Sequence, residues 1–264
     1  MNKVIRAEFG RTINAGLIIA IAGIIFSICF DLFNDLIAGL RNGQGYVGYF
    51  FSNAAFGGMC TKYMLPVFTA LPFSVSLCQE RNNKAVSYIV SREGKNRYIF
   101  AKFIVSAISG GFVAVCGTVL LFLMLAMRFP IAGDEFEGAV VSDYFHEWSA
   151  VYYPQLYILT LSILAFCRGV IWSSLALCVS LYTSDFMVVL LSPFLGSYVL
   201  VRIFQIIRVP DMVRPDMILI GQVVIKSSGL TLIIAIAISL TIVTLIGAFF
   251  VGKMKEGLKS GTIY

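Results

Sequence analysis

Few residues in this chain have the types and spacing that enzyme chemistry needs. The single histidine, His146, has no cysteine or carboxylate pattern around it that would complete a metal site. His-Glu-x-x-His is absent, and with it the helical zinc site of metalloproteases. Gly-x-Ser-x-Gly is absent too, so there is no nucleophile elbow. A phosphate-cradling loop needs Gly-x4-Gly-Lys-Ser/Thr. Lys95 follows Gly94, but Asn96 comes next and the first glycine is replaced by Ile89. Any ATP and Mg2+ would therefore be held by another chain. The six cysteines, Cys29, Cys60, Cys78, Cys116, Cys167 and Cys178, form no Cys-x-x-Cys and lie in or at the ends of apolar runs. There a thiol serves as a small apolar filler. Cys29 and Cys60 fall near the same membrane face, which leaves a disulfide between them open.

One side chain stands apart. Arg168 lies well inside an apolar run, and an arginine at the centre of a membrane helix costs about 2.5–3.5 kcal/mol on insertion scales. No acidic residue is expected at its depth. Its partners would be backbone carbonyls, hydroxyls such as Ser162, Ser173 or Ser174, water, or a substrate. Two readings stay open: Arg168 packs between helices on carbonyls, or it faces a polar pathway and favours negatively charged cargo.

The elements that position these residues follow from composition. Of 264 residues 59% are hydrophobic and 13% charged, about half the charge of a soluble domain, and the mean hydropathy is +0.89. Six apolar runs are long enough to cross a bilayer as helices: Ile13 to Phe30, Gly57 to Cys78, Phe103 to Met127, Leu156 to Leu181, Phe186 to Phe204 and Leu230 to Val251. Lipid offers backbone groups no partner, so spanning segments are helices or closed barrels, and these runs lack barrel alternation. The expectation is an all-α integral membrane protein, one transmembrane domain over 1–264. The first run has no small-x-small cleavage site and reads as a retained span. Ahead of it, Met1, Val4, Ile5, Phe9 and Ile13 share one helical face, which suits an amphipathic interfacial helix over 1–12.

Lysine and arginine sort the loops. The N-terminal tail, the loop between the second and third runs and the C-terminal tail together carry twelve, against seven on the other side. Both termini are therefore expected in the cytoplasm. The outer loop with Asp134, Glu135, Glu137, Asp143 and Glu147 is acidic. The formal charge of +6 is explained by cytoplasmic loops beside anionic lipid, and gives no reason to expect nucleic acid as a partner.

The basic loop over 79–102 is the most informative segment. Ala85, Val86, Ile89 and Val90 recur at helical spacing with Tyr88 beside them, flanked by charge. Small-x3-small pairs, Ser106 with Gly110 and Ala107 with Gly111, favour close helix approach in the following run. Pro66, Pro72 and Pro193 can bend their helices.

This arrangement resembles the permease subunits of type-two ATP-binding cassette (ABC) exporters. The resemblance is carried by Glu80-Arg81 at the end of the second run, the apolar segment Ala85 to Val90, Ser91-Arg92 and Lys102. It departs from the family at Lys84-Ala85, where Gly-Thr is usual. It implies a coupling helix that docks on a separate ABC ATPase subunit, with Glu80, Arg81, Ala85, Val86, Tyr88, Ile89, Arg92 and Lys102 at the coupling region. It also implies a second permease chain, as a homo- or heterodimer, and a bacterial cell membrane. The family's segment before the last span partly re-enters the outer leaflet. Here 203–229, interrupted by Pro210 and Pro215, is either such a segment or a simple outer loop. The implied cargo is a peptide, a drug or a lipid-like molecule. Two other classes remain: a membrane enzyme, which should show ionisable residues at catalytic spacing within spans, and a membrane scaffold or assembly factor without transport.

Overall fold

The computed structural model describes residues 2–42, 47, 50, 58–131 and 154–260. The acidic loop expected to face outward, with Asp134, Glu135, Glu137, Asp143, His146 and Glu147, lies outside them. The described residues form helices and no strands.

The helices are α1 (Asn2–Thr12), α2 (Ala15–Asp31), α3 (Phe33–Asn42), α4 (Met59–Ala70), α5 (Ser76–Asn82), α6 (Val86–Glu93), α7 (Lys95–Ala126), α8 (Pro154–Val179), α9 (Phe186–Ile207), α10 (Pro215–Ile220) and α11 (Ser228–Ser260), with a 3-10 turn at Asp211–Val213. Four of them, α7, α8, α9 and α11, are each long and apolar enough to cross a membrane. They correspond to the third, fourth, fifth and sixth apolar runs.

The first two runs differ from simple spans. The helix over α2 meets Ile5–Thr12 at a bend of 57°, and the pair together passes as one further candidate span. Asn14 makes that corner, its side chain accepting from Leu17 N at 3.1 Å as the N-cap of α2. The second run is not one helix. It is broken between α4 and α5 by turns over 71–75, where Pro72 lacks the N–H that a continuous helix would use. The start of α4 is fixed from another element, because Asp31 accepts from Cys60 N at 2.9 Å and Thr61 N at 2.7 Å. A carboxylate there satisfies orphan donors and opposes the helix dipole.

Helix α8 is the hub, packing against α4, α7, α9, α10 and α11. Its closest neighbour is α7, and small residues set the distance. A Cβ added to Gly110 would lie 2.7 Å from the Gly169 carbonyl oxygen and 2.3 Å from Ser173 Cβ. Ser173 Oγ donates to the Ser106 carbonyl at 2.6 Å, and Ser74 Oγ donates to the Ser173 carbonyl at 3.0 Å. The small-x3-small pattern thus brings backbones close enough for hydroxyls to link three segments in an apolar interior.

Helix α1, the end of α5, all of α6, the start of α7, the 180–185 turn and the end of α11 gather at one end of the bundle. These are the segments that the lysine and arginine bias placed on one side. The 203–229 segment lies at the other end, and its α10 buries Ile218, Leu219 and Ile220 in the main core.

Candidate functional site

Helix α6 is short, and its sequence gives it one apolar edge. Val86, Ile89 and Val90 are buried, and they pack with Tyr98 and Ile99 of α7, Leu177 at the end of α8 and Leu181 just beyond it, and Phe250, Met254 and Leu258 of α11. Gly94 separates α6 from α7 with φ +85°, a conformation open to glycine at little cost. Val86 and Ile89, expected at the coupling region, turn into their own chain, because the ends of α7, α8 and α11 offer an apolar floor. Ala85 is half-buried, while Tyr88 is 68% exposed. Tyr88 and Arg92 stand together on the outer edge, the guanidinium 6.0 Å from the ring centroid and donating to Glu93 at 2.9 Å.

Beside α6 sits a buried ionic network. Lys102 is wholly enclosed. Its ammonium donates to Glu80 at 2.8 Å, Glu8 at 3.0 Å and Ser76 Oγ at 3.1 Å, and lies 4.8 Å from the Phe73 ring centroid. Glu80 also accepts from the Arg11 guanidinium and the Tyr98 hydroxyl. Two carboxylates thus meet two cations, and four segments are joined: α1, α5, the base of α7 and the turn before α5. Arg81 completes the frame, donating to the Ser180 and Leu181 carbonyls at 2.9 and 3.1 Å. Those oxygens lie just beyond the end of α8, where carbonyls lack intrahelical partners.

Glu80, Arg81 and Lys102 were singled out from sequence, and the structure brings Glu80 and Lys102 into contact. Glu8, Arg11, Ser76 and Tyr98 were not foreseen. Their only signal was position: Glu8 lies on the polar side of an amphipathic tail, and charges in tails are usually solvated. Here Glu8 and Thr12 are buried against the protein, while Arg6, Arg11 and Ile13 are exposed.

Arg168 sits about midway along α8 and is 8% exposed. Among the described residues none accepts a hydrogen bond from it, the expected hydroxyls of Ser162, Ser173 and Ser174 included. It lines a cavity of about 140 Å³ together with Lys62 of α4 and Asp216 of α10, and a smaller one of about 20 Å³ with Thr61, whose hydroxyl has no partner. Asp216 thus shares a cavity with Arg168, because α10 folds into the bundle. Asp216 is engaged elsewhere, however: Arg214 donates to it at 2.8 and 3.2 Å and to Asp211 at 3.1 Å. The Asp216 bond raises the Arg214 pKa. Lys62 approaches Asp216 only to 4.0 Å.

Comparison with known proteins gives no match: no family model, no curated protein and no solved structure matches this chain. The chemistry of the two regions is therefore argued from their own geometry. In the loop-helix region Arg11, Ser76 and Glu80 line a cavity of about 620 Å³, and the Glu80 carboxylate there is held by Lys102, Arg11 and Tyr98. In the Arg168 region two cationic side chains, Arg168 and Lys62, share a cavity whose other walls are mostly apolar. All six cysteines are free thiols, so Cys29 and Cys60 are not joined.

Proposed function

We propose that this chain is the transmembrane permease subunit of an ATP-driven exporter resembling the type-two ABC class. It pairs with a second permease chain and with a separate ATPase subunit that holds ATP and Mg2+. In this reading the chain crosses the cell membrane six times: α2 is the first crossing, with α1 an interfacial helix bent away from it, the broken α4–α5 pair is the second, and α7, α8, α9 and α11 are the rest. Both termini lie in the cytoplasm, and α10 re-enters the outer leaflet.

The observation that carries the reading is the seating of α6. Its inner edge is buried against the ends of three long helices, while Tyr88 and Arg92 stand exposed on its outer edge. Glu80 and Arg81, one turn before it, are tied to α1, α7 and the end of α8. A push on Tyr88 and Arg92 would be passed to the spans rather than absorbed by a flexible loop, because packed elements move as units. That is the behaviour required of a coupling helix driven by a partner's ATP cycle. The apolar outward residues of α9 and α11, such as Leu195, Ile206, Ile233 and Leu240, suit lipid and a second permease chain.

Co-reconstitution with the ATPase subunit tests the proposal. Tyr88→Ala with Arg92→Ala should release the ATPase subunit and so abolish ATP-driven transport while leaving the chain folded. Full coupling in that double variant would remove α6 as the joint.

A further inference from the structure

We propose that the cavity between Arg168, Lys62 and Asp216 seats an anionic amphiphile, its acidic headgroup on the two cations and its chain along the apolar wall. Charge supplies the first argument. Asp216 is already held by two guanidinium donors of Arg214, and Asp211 is bonded to the same arginine. Lys62 lies close enough to feel Arg168, Arg214 and Asp216. The group therefore holds three cations against two carboxylates, and Arg168 and Lys62 are left without a full counter-charge. One monoanionic headgroup balances the set. An unpaired buried guanidinium has strong reason to take such a partner, since buried charge is retained only when paired or hydrogen-bonded.

Shape supplies the second argument and selects an amphiphile over a soluble anion. The cavity of about 140 Å³ corresponds to a few water molecules at ~30 Å³ each, enough for a headgroup and the first carbons of a chain. Trp172, Leu200 and Ile242 are among its walls, and Leu200 is exposed at the outer surface. Helices α9 and α11 each pack on α8 but make few contacts with one another. The cavity lies in the gap between them, where an acyl chain can extend sideways into lipid. As a seat for cargo, rather than for resident lipid, this inference rests on the permease reading. As a binding site it does not.

Trp172 provides the probe. Trp148 is the other tryptophan, so Trp148→Phe leaves Trp172 as the sole emitter. The full chain in nanodiscs is titrated with a bromine-labelled fatty acid, bromine-labelled phosphatidylglycerol or bromine-labelled phosphatidylcholine. The acidic probes should reach half-quenching at a mole fraction about tenfold lower than phosphatidylcholine, the scale of a lost hydrogen bond to a charged group. Whichever acidic probe acts at the lower fraction identifies a carboxylate or a phosphate headgroup as the source. Arg168→Met and Lys62→Met should each remove most of the preference. Should Arg168→Met fail to insert, Arg168→Lys should keep the preference while Lys62→Met loses it. Equal quenching by acidic and zwitterionic probes, or a preference unchanged by the substitutions, overturns the proposal. The titration needs no ATPase, so its failure and the failure of the permease reading are separately visible.

Discussion

The Lys102 ammonium donates to Glu80 at 2.8 Å with the whole lysine side chain out of solvent. The two residues lie on either side of α6, one in α5 and one in α7, so their bond closes the loop that carries the helix. Buried ion pairs are weak evidence for net stability, but removing one partner leaves a charge stranded.

Lys102→Met should therefore destabilise the chain by about 3–5 kcal/mol. Arg11 is 52% exposed along its side chain, and Arg11→Met should cost far less, about 1 kcal/mol or below. Thermal unfolding in detergent, followed by size-exclusion chromatography, measures both. Equal losses would mean that the network is not organised around Lys102.

Val86 and Ile89 form the buried edge of α6, at 0% and 9% exposure. Val86→Asp with Ile89→Asp should cost several kcal/mol by burying unpaired carboxylates and should lower yield. Tyr88→Ala should change stability by less than about 0.5 kcal/mol, as an exposed position does. A well-folded double aspartate variant would contradict the packing described.

Helices α7 and α8 are spaced by glycine. Gly110→Leu would drive a side chain into Gly169 and Ser173, and overpacking costs about 1–3 kcal/mol or more. Ser106→Ala, which keeps the spacing and loses hydroxyl bonds, should cost about 1 kcal/mol. Unfolding midpoints of the two variants give the comparison, and a tolerated leucine would argue against close contact.

The lysine and arginine bias makes a topological prediction. In intact cells a membrane-impermeant thiol reagent should mark Glu137→Cys but not Lys259→Cys. Labelling of the second from outside would invert the assignment of the two ends.

Much of the helical framework was legible in the sequence. Four long apolar runs became continuous helices, because length and hydropathy alone decide them. The short helix at Ala85 to Val90 was legible as well, but not its facing: an amphipathic pattern looks the same whether the floor is its own bundle or a partner. Pro72 announced a bend, not the five-residue break the chain adopts, since proline fixes what a helix loses and not how the chain resumes. The ionic network was hidden because Glu8 and Glu80 lie outside the apolar runs, where carboxylates are ordinarily solvated. Asp216 was hidden for a related reason: Pro210 and Pro215 marked an interrupted segment, and only tertiary packing carries it to Arg168.

The central claim is that α6 couples this chain to an ATPase subunit. The most direct measurement is gentle affinity purification of the full chain from native membranes, with ATPase activity assayed across the eluted peak. The account predicts a stoichiometric nucleotide-binding subunit and ATP hydrolysis that co-elute with the chain. It predicts that both are lost in Tyr88→Ala with Arg92→Ala, at unchanged yield of the chain. A chain that elutes folded but without an ATPase, or an ATPase retained in full by the double variant, would contradict it.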